Sequence, residues 1–542
     1  MKLRASILAP VVLLVVVALL YGGFLWSPIV FDDDYIFRDD TLIRYGNGDF
    51  PLGPRWLPYF TMGLSRRLFG LELIGYRLPS LLLHAGVAIA LYAFLQQLWR
   101  SVLPEQTAGR LPYVGIAFFA ALIFALHPVA VYGAGYLIER TIVMATLAAL
   151  LMWWAFLRGL ESGRMAWFWT SVLFYVLALS SKEHVIMAPA VSAALLLVWW
   201  RTHGKDRGVN LRGWLLRLAP VFLAYAVMGL YVVLLMKGYL GRTYEILGSD
   251  TAAQLTGAQI DKRLLYPLSV FNQSALFFKY LGLWLAPDPA WMSVDMREPF
   301  VTSFWVWPQT LGFAAFVAYP LVALALMWRG GRPGLLGFAL IAPWLLFATE
   351  LSTVRIQEPF VLYRSYLWAA PAFAALAALF GRMETRRASL VLAFVALMMF
   401  PLAYQRLQTF SNPLLLWDDA AQLVEGRHNL TGLTRIYLNR GHELQARGLS
   451  EKAIADYTRA LEEKSDYYRP YLLSDRGVSY LTLKRYAEAV RDFDAAIALK
   501  DDNPRTYMGR GMALEALGEA GAALPSFRRA CQLGWKGACS RL

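Results

Sequence analysis

Long apolar runs separated by short polar segments organise roughly the first 410 residues of the chain. Many runs are about 20 residues long, which is the length an α-helix needs to cross the hydrocarbon core of a bilayer. The first run, 7–26, follows Lys2 and Arg4 and lacks a small-residue cleavage site, so it predicts an uncleaved span rather than a signal peptide. With further runs at 78–98, 113–126, 141–156, 167–179, 185–200, 214–236, 304–328, 335–348, 366–380 and 389–404, the pattern predicts about 11 spans.

Basic residues between the runs predict the orientation. With the N-terminus in the cytoplasm, every predicted inner loop carries Lys or Arg, as the positive-inside rule requires. Segment 266–286 is apolar enough to cross, but a crossing would place Arg329 and Arg332 outside, so we expect a helix that packs without traversing. The alternative is a twelfth span, which moves the C-terminus to the cytoplasm. The preferred topology predicts that 27–77, 237–263, 288–299 and the chain beyond about 404 lie outside.

A residue pattern repeats along the polar C-terminal part of the chain. Glycine recurs at spacings of 36 and 34 residues, and two alanines and an aromatic residue follow each glycine at constant offsets. The glycines are Gly441, Gly477 and Gly511, the alanines Ala453, Ala460, Ala489, Ala496, Ala523 and Ala530, and the aromatics Tyr457, Phe493 and Phe527. This period and code predict three tetratricopeptide repeats at 434–542, after a linker or helix at 411–433. We therefore expect an all-α protein, a polytopic transmembrane bundle followed by an α-solenoid.

Composition agrees with the prediction of a membrane protein. The chain is 58% hydrophobic and 17% charged, whereas a soluble domain has about a quarter of its residues charged. The net charge of +14 would suit nucleic acid, but in a membrane protein excess Lys and Arg collect in cytoplasmic loops. No soluble basic face is predicted, so we expect no nucleic-acid partner.

The only two cysteines of the chain, Cys531 and Cys539, both fall in the last repeat. An isolated pair in an otherwise cysteine-free chain predicts a disulfide in an oxidising compartment. Its spacing looks like that of the helix-to-helix bridges of Sel1-like repeats. A disulfide here would support an external position for the repeats.

The first predicted outer loop carries five acids within nine residues, beginning with Asp32, Asp33 and Asp34. Apolar residues interleave with these acids, namely Phe31, Tyr35, Ile36 and Phe37. Some carboxylates should therefore be half-buried, and clustered carboxylates in low dielectric raise one another's pKa towards the range that suits a general base. The alternatives are a divalent-cation site and a solvated acidic flank of the first span.

Charged residues also occur at three other predicted membrane boundaries. Glu139 and Arg140 begin one span, Lys182 and Glu183 separate two others, and Arg364 lies between two tyrosines. All three cations fall on the outer side, against the positive-inside trend, and phosphate of a lipid at the outer leaflet is the ligand that they suit. Ion pairs that merely hold helices together are the structural alternative.

Five motifs occur in the order found in a known family. They are Phe31-Asp32-Asp33, YRLPSLLLH ending at His84, His127-Pro128 with Arg140 thirteen residues on, Lys182-Glu183, and the Tyr-Arg-Ser-Tyr segment around Arg364. Together with the trailing repeats, they resemble the transmembrane and tetratricopeptide-repeat O-mannosyltransferases and their bacterial relatives, which are GT-C fold glycosyltransferases. The resemblance covers nearly the whole chain, and its strength lies in the combination.

The resemblance implies a lipid-phosphate-linked sugar as donor and a protein hydroxyl as acceptor. It implies a GT-C-like catalytic domain at 1–410 with its first outer loop at 27–77, and Asp32 and Asp33 match the acidic pair taken to supply the catalytic carboxylate. Three positions depart from the eukaryotic members, namely Tyr132, Glu139 and Ile142. The sugar is therefore not transferable from mannose. The bacterial relatives include pilin O-glycosyltransferases, which leaves arabinofuranose or another sugar open.

The resulting hypothesis is an inverting transfer from polyprenyl phosphate to Ser or Thr of an exported protein. We expect Asp33, alone or with Asp32, to accept the proton of the attacking hydroxyl. Arg140, Lys182 and Arg364 would stabilise the departing phosphate, and the repeats would present the acceptor. Further site neighbours are Asp34, His84, His127, Glu139, Glu183 and Tyr366. No metal is predicted, but Asp32 and Asp33 would be its ligands if one bound.

Other functions compete with this hypothesis. One is a glycosyltransferase of the same fold that acts on a glycolipid or polysaccharide, although a peptide groove favours a protein acceptor. A non-enzymatic, membrane-anchored scaffold would need far fewer spans. A transporter would concentrate its ionisable residues near mid-membrane rather than at one face. The expected location is the bacterial inner membrane, with a cytoplasmic N-terminus and periplasmic repeats.

Overall fold

A computed structural model of the chain describes residues 2–38, 40–103, 112–203, 210–243, 261–427, 430–463, 467–499 and 502–542. Segment 244–260 of the second predicted outer region therefore lies outside the described residues. Within these ranges all regular elements are helical, and a β-bridge pairs Met296 with Phe360. The expected all-α class is confirmed for this part of the chain.

The N-terminal domain is built from helices that share a large apolar core. Its helices are α1 Lys2–Tyr21, α2 Asp33–Arg38, α3 Thr41–Gly46, α4 Trp56–Phe69, α5 Ile74–Val102, α6 Pro112–Leu126, α7 Pro128–Ala134, α8 Arg140–Ser162, α9 Met165–Ser181, α10 Ala188–His203, α11 Leu211–Met236, α12 Leu265–Leu285, α13 Gln309–Arg329, α14 Gly331–Phe347, α15 Ser365–Ala369, α16 Ala375–Phe380 and α17 Thr385–Phe410. Tightly wound 3₁₀ turns connect several of them, including Leu137–Glu139 and Glu183–Met187.

The expected count of 11 spans is wrong for the described residues. Seven helical stretches there are long and apolar enough to cross a membrane: Ile74–Val102, Leu137–Ser162, Glu183–His203, Leu211–Met236, Gln309–Arg329, Gly331–Leu351 and Arg386–Phe410. Joining Val114–Leu126 with Pro128–Ala134, which are bent by 66° to each other, gives up to eight. Helix α12, predicted not to traverse, does not meet the same criterion.

The missing spans have local causes. The apolar helix Met165–Ser181 has 17 residues and is too short to cross on its own. The first run does form a helix, α1, of 20 residues, but the structure describes its side chains only from Leu8 onwards. Run 366–380 is not one helix, because a 3₁₀ segment, Ala370–Ala374, separates α15 from α16. This segment contains Pro371, which lacks the N–H needed to continue an α-helix. Apolar length in sequence therefore overstated continuous helical length.

Three helix pairs form the C-terminal array, as the repeat pattern predicts. Linker helix α18, Pro413–Val424, precedes α19 Leu433–Ala446, α20 Ser450–Leu461, α21 Arg469–Thr482, α22 Tyr486–Ala498, α23 Pro504–Ala516, α24 Ala520–Gln532 and α25 Lys536–Cys539. Within each pair, the aromatic residue packs against the repeat glycine: a Cβ added at Gly477 would lie 2.9 Å from the Phe493 ring. The cysteines Cys531 and Cys539 form a disulfide.

The linker helix and the start of the first repeat attach the array to the N-terminal domain. Arg406 of α17 donates to Asp419 of α18 at 2.8 Å. Glu463 caps α19 by accepting from the Leu433 and Thr434 backbone N–H groups at 3.0 and 2.8 Å. Gly432 precedes α19 at φ +79°, where a side chain would be strained and a Cβ would collide with the Arg297 guanidinium of the N-terminal domain.

Phe493→Ala should destabilise the array by about 3 kcal/mol or more, because the buried ring fills the space above two glycines, Gly477 and Gly509. Amide hydrogen exchange of α21–α23 should accelerate by roughly 100-fold in the full-length protein. The exposed Leu499 provides the control, and Leu499→Ala should leave exchange nearly unchanged. Equal exchange in both variants would contradict the packing described.

Candidate functional site

A cavity of about 850 Å³ lies between the N-terminal domain and the first repeat. Five Arg or Lys side chains and four Asp or Glu side chains line it, together with an apolar wall that includes Val232 and Met236 near the end of α11. The charged residues are Arg55, Lys182, Arg355, Arg364, Arg435, Asp32, Glu139, Glu183 and Glu358. The cavity therefore combines a nearly balanced set of charged side chains with a set of apolar side chains.

Asp32 faces this cavity. Its side chain is exposed to the cavity space, while its backbone N–H donates to the Tyr136 hydroxyl at 2.9 Å. Desolvation by the surrounding protein and, next, the charge of Glu358 raise the pKa of Asp32 to about 7, with Arg435 acting in the opposite direction. A carboxyl group with this pKa changes between acid and base near neutral pH, as a general base requires.

Asp33, the residue favoured from sequence as the base, is oriented differently. Its side chain is fully buried and does not line the cavity; one carboxylate oxygen accepts from the Ile138 N–H at 2.9 Å. Burial raises the pKa of Asp33 to about 6, with Arg77 opposing. Asp33 thus helps to hold the turn Leu137–Glu139 in place, whereas Asp32, one residue before α2, faces the cavity. Asp34 is half-buried outside the cavity lining, and the Tyr35 and Ile36 side chains lie outside the described residues.

Lys182 and Glu139 form a buried pair on the cavity wall. Lys182 Nζ lies 2.6 Å from Glu139 Oε2 and 3.3 Å from Thr141 Oγ1, and 4.8 Å from the centre of the Tyr363 ring. Both charged side chains are more than nine-tenths buried. The sequence named both residues, and the structure places them in contact. An ammonium has three N–H donors, and Glu139 and Thr141 accept from two of them.

Arg364 also reaches the cavity, between two glutamates. Its guanidinium lies 3.1 Å from Glu350 and 3.2 Å from Glu358. The Glu358 carboxylate also lies 2.9 Å from the Arg435 guanidinium. Burial opposes ionisation of Glu358, but Arg435 and Arg364 outweigh it and lower its pKa. We call Glu350, Arg364, Glu358, Arg435, Asp295 and Arg297 the ion-pair chain, since consecutive members are 2.8–3.2 Å apart.

Glu183 pairs with Arg55, an arginine of the first predicted outer loop. Arg55 Nε donates to Glu183 at 2.9 Å, and a second guanidinium nitrogen contacts the other carboxylate oxygen. The negative charge of Glu183 keeps the pKa of Arg55 above its ordinary value. His184, the next residue, lies 3.2 Å from Glu350. Arg55 therefore brings the first loop to the same cavity wall as Lys182.

Arg140, the third predicted phosphate ligand, does not line the cavity. At the first position of α8, its guanidinium turns towards α5 and α4, where it donates to Ser80 at 3.1 Å, to Thr61 at 3.1 Å and to the Tyr76 carbonyl at 2.5 Å. The side chain is 1% exposed. These contacts place its guanidinium in the packing between helices, and its role as a phosphate ligand stays a prediction.

His84, His127 and Tyr366 also lie away from the cavity. His84 is fully buried between the Tyr366 hydroxyl at 2.6 Å and the Ala125 carbonyl at 3.0 Å. His127 caps α7 by accepting from the Val129 N–H, and its ring stacks on a tryptophan ring. The two histidines and the tyrosine hold helices together rather than face a substrate.

Several residues that line the cavity were not predicted from the sequence, among them Arg55, Glu358 and Arg435. Arg55 lies in the predicted first outer loop and Glu358 lies six residues before Arg364, so their nearness along the chain to predicted site residues was a usable signal. Arg435 had none, because it lies in the repeats, about 400 residues from Asp32. Among the described residues, no group of three or more His, Cys, Asp or Glu side chains is arranged to hold a metal ion.

Comparison with known proteins finds similarity in the repeats. Residues 438–504 and 474–538 match the tetratricopeptide repeat family. Human RNA polymerase II-associated protein 3 is 28% identical over 109 residues, which is 20% of this chain. The matched stretch spans 16% of that relative's length. The C-terminal array is therefore a tetratricopeptide domain by both sequence and structure.

Lys182→Met should destabilise the protein by about 3 kcal/mol, because it leaves Glu139 buried without its cation. Glu139→Gln should have a similar cost, whereas the double variant should cost less than the sum of the two. The Tm of purified protein, measured for all four members of the cycle, checks this. Arg387→Met, which removes an exposed pair with Glu384, should barely change Tm. Additive losses in the cycle would mean that the two side chains do not interact.

Proposed function

We propose that this chain is a membrane glycosyltransferase that moves a sugar from a polyprenyl-phosphate donor to a Ser or Thr hydroxyl of an exported protein. The observation that carries the proposal is the cavity, which Asp32, with its pKa near neutrality, lines together with Lys182 and Arg364. The proposal places the protein in a bacterial inner membrane, with a cytoplasmic N-terminus and periplasmic repeats. The disulfide of the last repeat suits an oxidising compartment.

The shape of the cavity suits an amphiphilic donor. Helix α11 contributes Val232, Val233 and Met236 to the lining, and exposes leucines on its outer surface, including Leu230 and Leu234. A prenyl chain following this helix would stay in hydrocarbon while its phosphate reached the charged wall. Burying apolar chain contributes about 0.8 kcal/mol per CH₂ group, which favours a lipid-linked donor over a soluble one.

Asp32 acts as general base in the proposed reaction. Its carboxylate accepts the proton of the acceptor hydroxyl while the hydroxyl oxygen forms a bond to the anomeric carbon. The bond between that carbon and the phosphate oxygen breaks at the same time, and its electron pair leaves with polyprenyl phosphate. Attack opposite the leaving group inverts the anomeric carbon. The phosphate departs as a stable anion, so no general acid is needed.

Lys182 and Arg364 stabilise the charge that develops on the departing phosphate. Their carboxylate partners, Glu139 and Glu358, hold the two cations in place before the donor binds. Preorganised charges of this kind cost little reorganisation during the reaction. The glutamates also keep the cavity close to electrically neutral before the donor arrives. Asp33, through its contact with the Ile138 N–H, positions the turn that carries Glu139.

The repeats are proposed to bind the protein acceptor in their groove. A glycolipid or polysaccharide acceptor would leave this domain without a role. A non-enzymatic scaffold is the alternative from a different class, and similarity found in the repeats is compatible with it. The scaffold does not require the buried charges of the cavity, whose desolvation is expensive.

Asp32→Asn should abolish glycosylation, because loss of a general base typically slows a reaction by about 10²–10⁴-fold. Exported proteins of the native host, lacking its own copy of the gene and supplied with wild type, Asp32→Asn or Asp33→Asn, are compared by intact mass. We expect the sugar mass with wild type, none with Asp32→Asn and partial modification with Asp33→Asn. Full modification with Asp32→Asn would remove Asp32 from the mechanism. No added mass with wild type would favour the scaffold.

The rate of sugar transfer should rise with pH and level off above about pH 7, because Asp32 must be deprotonated to act and its pKa is about 7. Below this pH the carboxyl is protonated and cannot accept the hydroxyl proton. Purified protein with saturating donor and acceptor, assayed from about pH 5 to about pH 9, gives the profile. A rise centred near pH 4, roughly the ordinary value for Asp, would show an unperturbed carboxyl and contradict the assignment.

A further inference from the structure

Arg435 is a residue of the repeats whose charged partners lie in the N-terminal domain. It occupies the first turn of α19 and is 9% exposed, yet it lines the cavity. Its Nε lies 2.8 Å from Asp295, and another guanidinium nitrogen lies 2.9 Å from Glu358. Its guanidinium also covers the Phe31 ring at 4.9 Å.

Phe31 connects this contact to Asp32, the next residue. Phe31 has φ +53°, a backbone conformation that a bulky side chain rarely adopts, so surrounding contacts must hold it. Trp417 of the linker helix packs edge-on against the ring at 5.1 Å, and Tyr136 stacks on it at 6.1 Å. Arg435 and Trp417 both come from the C-terminal side of the interface. The C-terminal part of the chain thus fixes the bend after which Asp32 faces the cavity.

We infer that Arg435 is a positioning residue for Asp32 and Glu358, so that the active site is complete only when the first repeat is docked on the N-terminal domain. This inference rests on the proposed function and deepens it. The tetratricopeptide domain then has two tasks: it binds the acceptor protein, and it supplies one side chain to the site where the acceptor hydroxyl reacts. A displaced first repeat would leave the cavity inactive.

A neighbouring arginine shows what an ordinary repeat contact looks like. Arg440, five residues further along α19, forms a two-pronged pair with Asp456 at 2.8 and 2.7 Å and reaches Asp418 at 3.0 Å. These partners lie within the repeats and the linker helix, and Arg440 does not line the cavity. The two arginines share a helix and a pairing geometry, which makes Arg440 a matched control.

The electrostatic role of Arg435 follows from the groups that face Asp32. Glu358 and Asp33 favour the protonated form of Asp32, whereas Arg435 and the Tyr136 hydroxyl favour the carboxylate. Removing the Arg435 charge leaves Glu358 and Asp33 opposed mainly by a neutral hydroxyl. The pKa of Asp32 should then rise, so that less of the base is ionised at neutral pH.

The test uses full-length wild type, Arg435→Gln, Arg435→Lys and Arg440→Gln, each with and without Asp32→Asn and each purified in detergent. The carboxylic-acid band in the infrared spectrum is titrated with pH, and subtracting the titration of the matching variant that also carries Asp32→Asn isolates Asp32. This measurement needs no donor or acceptor. The pH profile of sugar transfer is recorded in parallel.

We expect Arg435→Gln to move both the Asp32 titration and the rising limb of the profile to higher pH. If the midpoint moves from about pH 7 to about pH 8, the rate at pH 7 should fall roughly fivefold and recover at higher pH. Arg440→Gln should match wild type in both measurements. Should Arg435→Gln fail to fold, Arg435→Lys keeps the positive charge but loses the planar guanidinium that pairs with two carboxylates at once. A smaller shift to higher pH is then expected in both the Asp32 titration and the pH profile of sugar transfer.

Three results separate the ways in which the inference can fail. A wild-type titration in Arg435→Gln, or equal changes in Arg435→Gln and Arg440→Gln, would overturn the role of Arg435 even if Asp32→Asn is inactive. A rate loss in Arg435→Gln that does not recover at high pH would reduce Arg435 to a structural contact. Wild-type transfer by Asp32→Asn would instead overturn the proposed function, whatever the infrared titration of Arg435→Gln shows.

Discussion

Desolvated charge is the constraint around which this structure is arranged. The ion-pair chain places three carboxylates and three guanidiniums in the protein interior, in strict alternation from Glu350 to Arg297. Taking a single ion from water costs several kcal/mol even after relaxation, and each member offsets that cost only through its neighbours. Removing one member therefore leaves its neighbours in the ion-pair chain buried without their partner charge. The chain also crosses the boundary between the two domains, because Arg435 comes from the repeats.

The same low dielectric raises the pKa of Asp32. A carboxyl that faces a cavity inside protein loses hydration, and a nearby glutamate adds repulsion, so its pKa moves to the range where proton transfer at neutral pH is efficient. Lys182 lines the same cavity and pairs with Glu139. Asp32 and Lys182 therefore line one cavity while the Lys182 charge is already paired with the Glu139 carboxylate.

The junction between the domains depends on backbone as much as on charge. Gly432 adopts a left-handed conformation just before α19, and any side chain there would displace the Arg297 guanidinium. Phe31 adopts another left-handed conformation on the facing surface. Of the two, only the Phe31 conformation is strained, and Trp417, Tyr136 and Arg435 contact its ring. Strain of this kind persists only where the surrounding structure over-determines it.

The sequence by itself determined the all-α class and the packing code of the repeats, because these depend on local periodicity and on residue type. It overestimated the spans, since apolar length does not reveal where Pro371 interrupts a helix. Tertiary structure alone decided which acid faces the cavity, as Asp32 and Asp33 differ only in direction. It also directed the Arg140 side chain between packed helices and placed the Arg435 side chain at the cavity. Such choices depend on contacts between residues far apart in the chain, where a one-dimensional pattern carries no distance information.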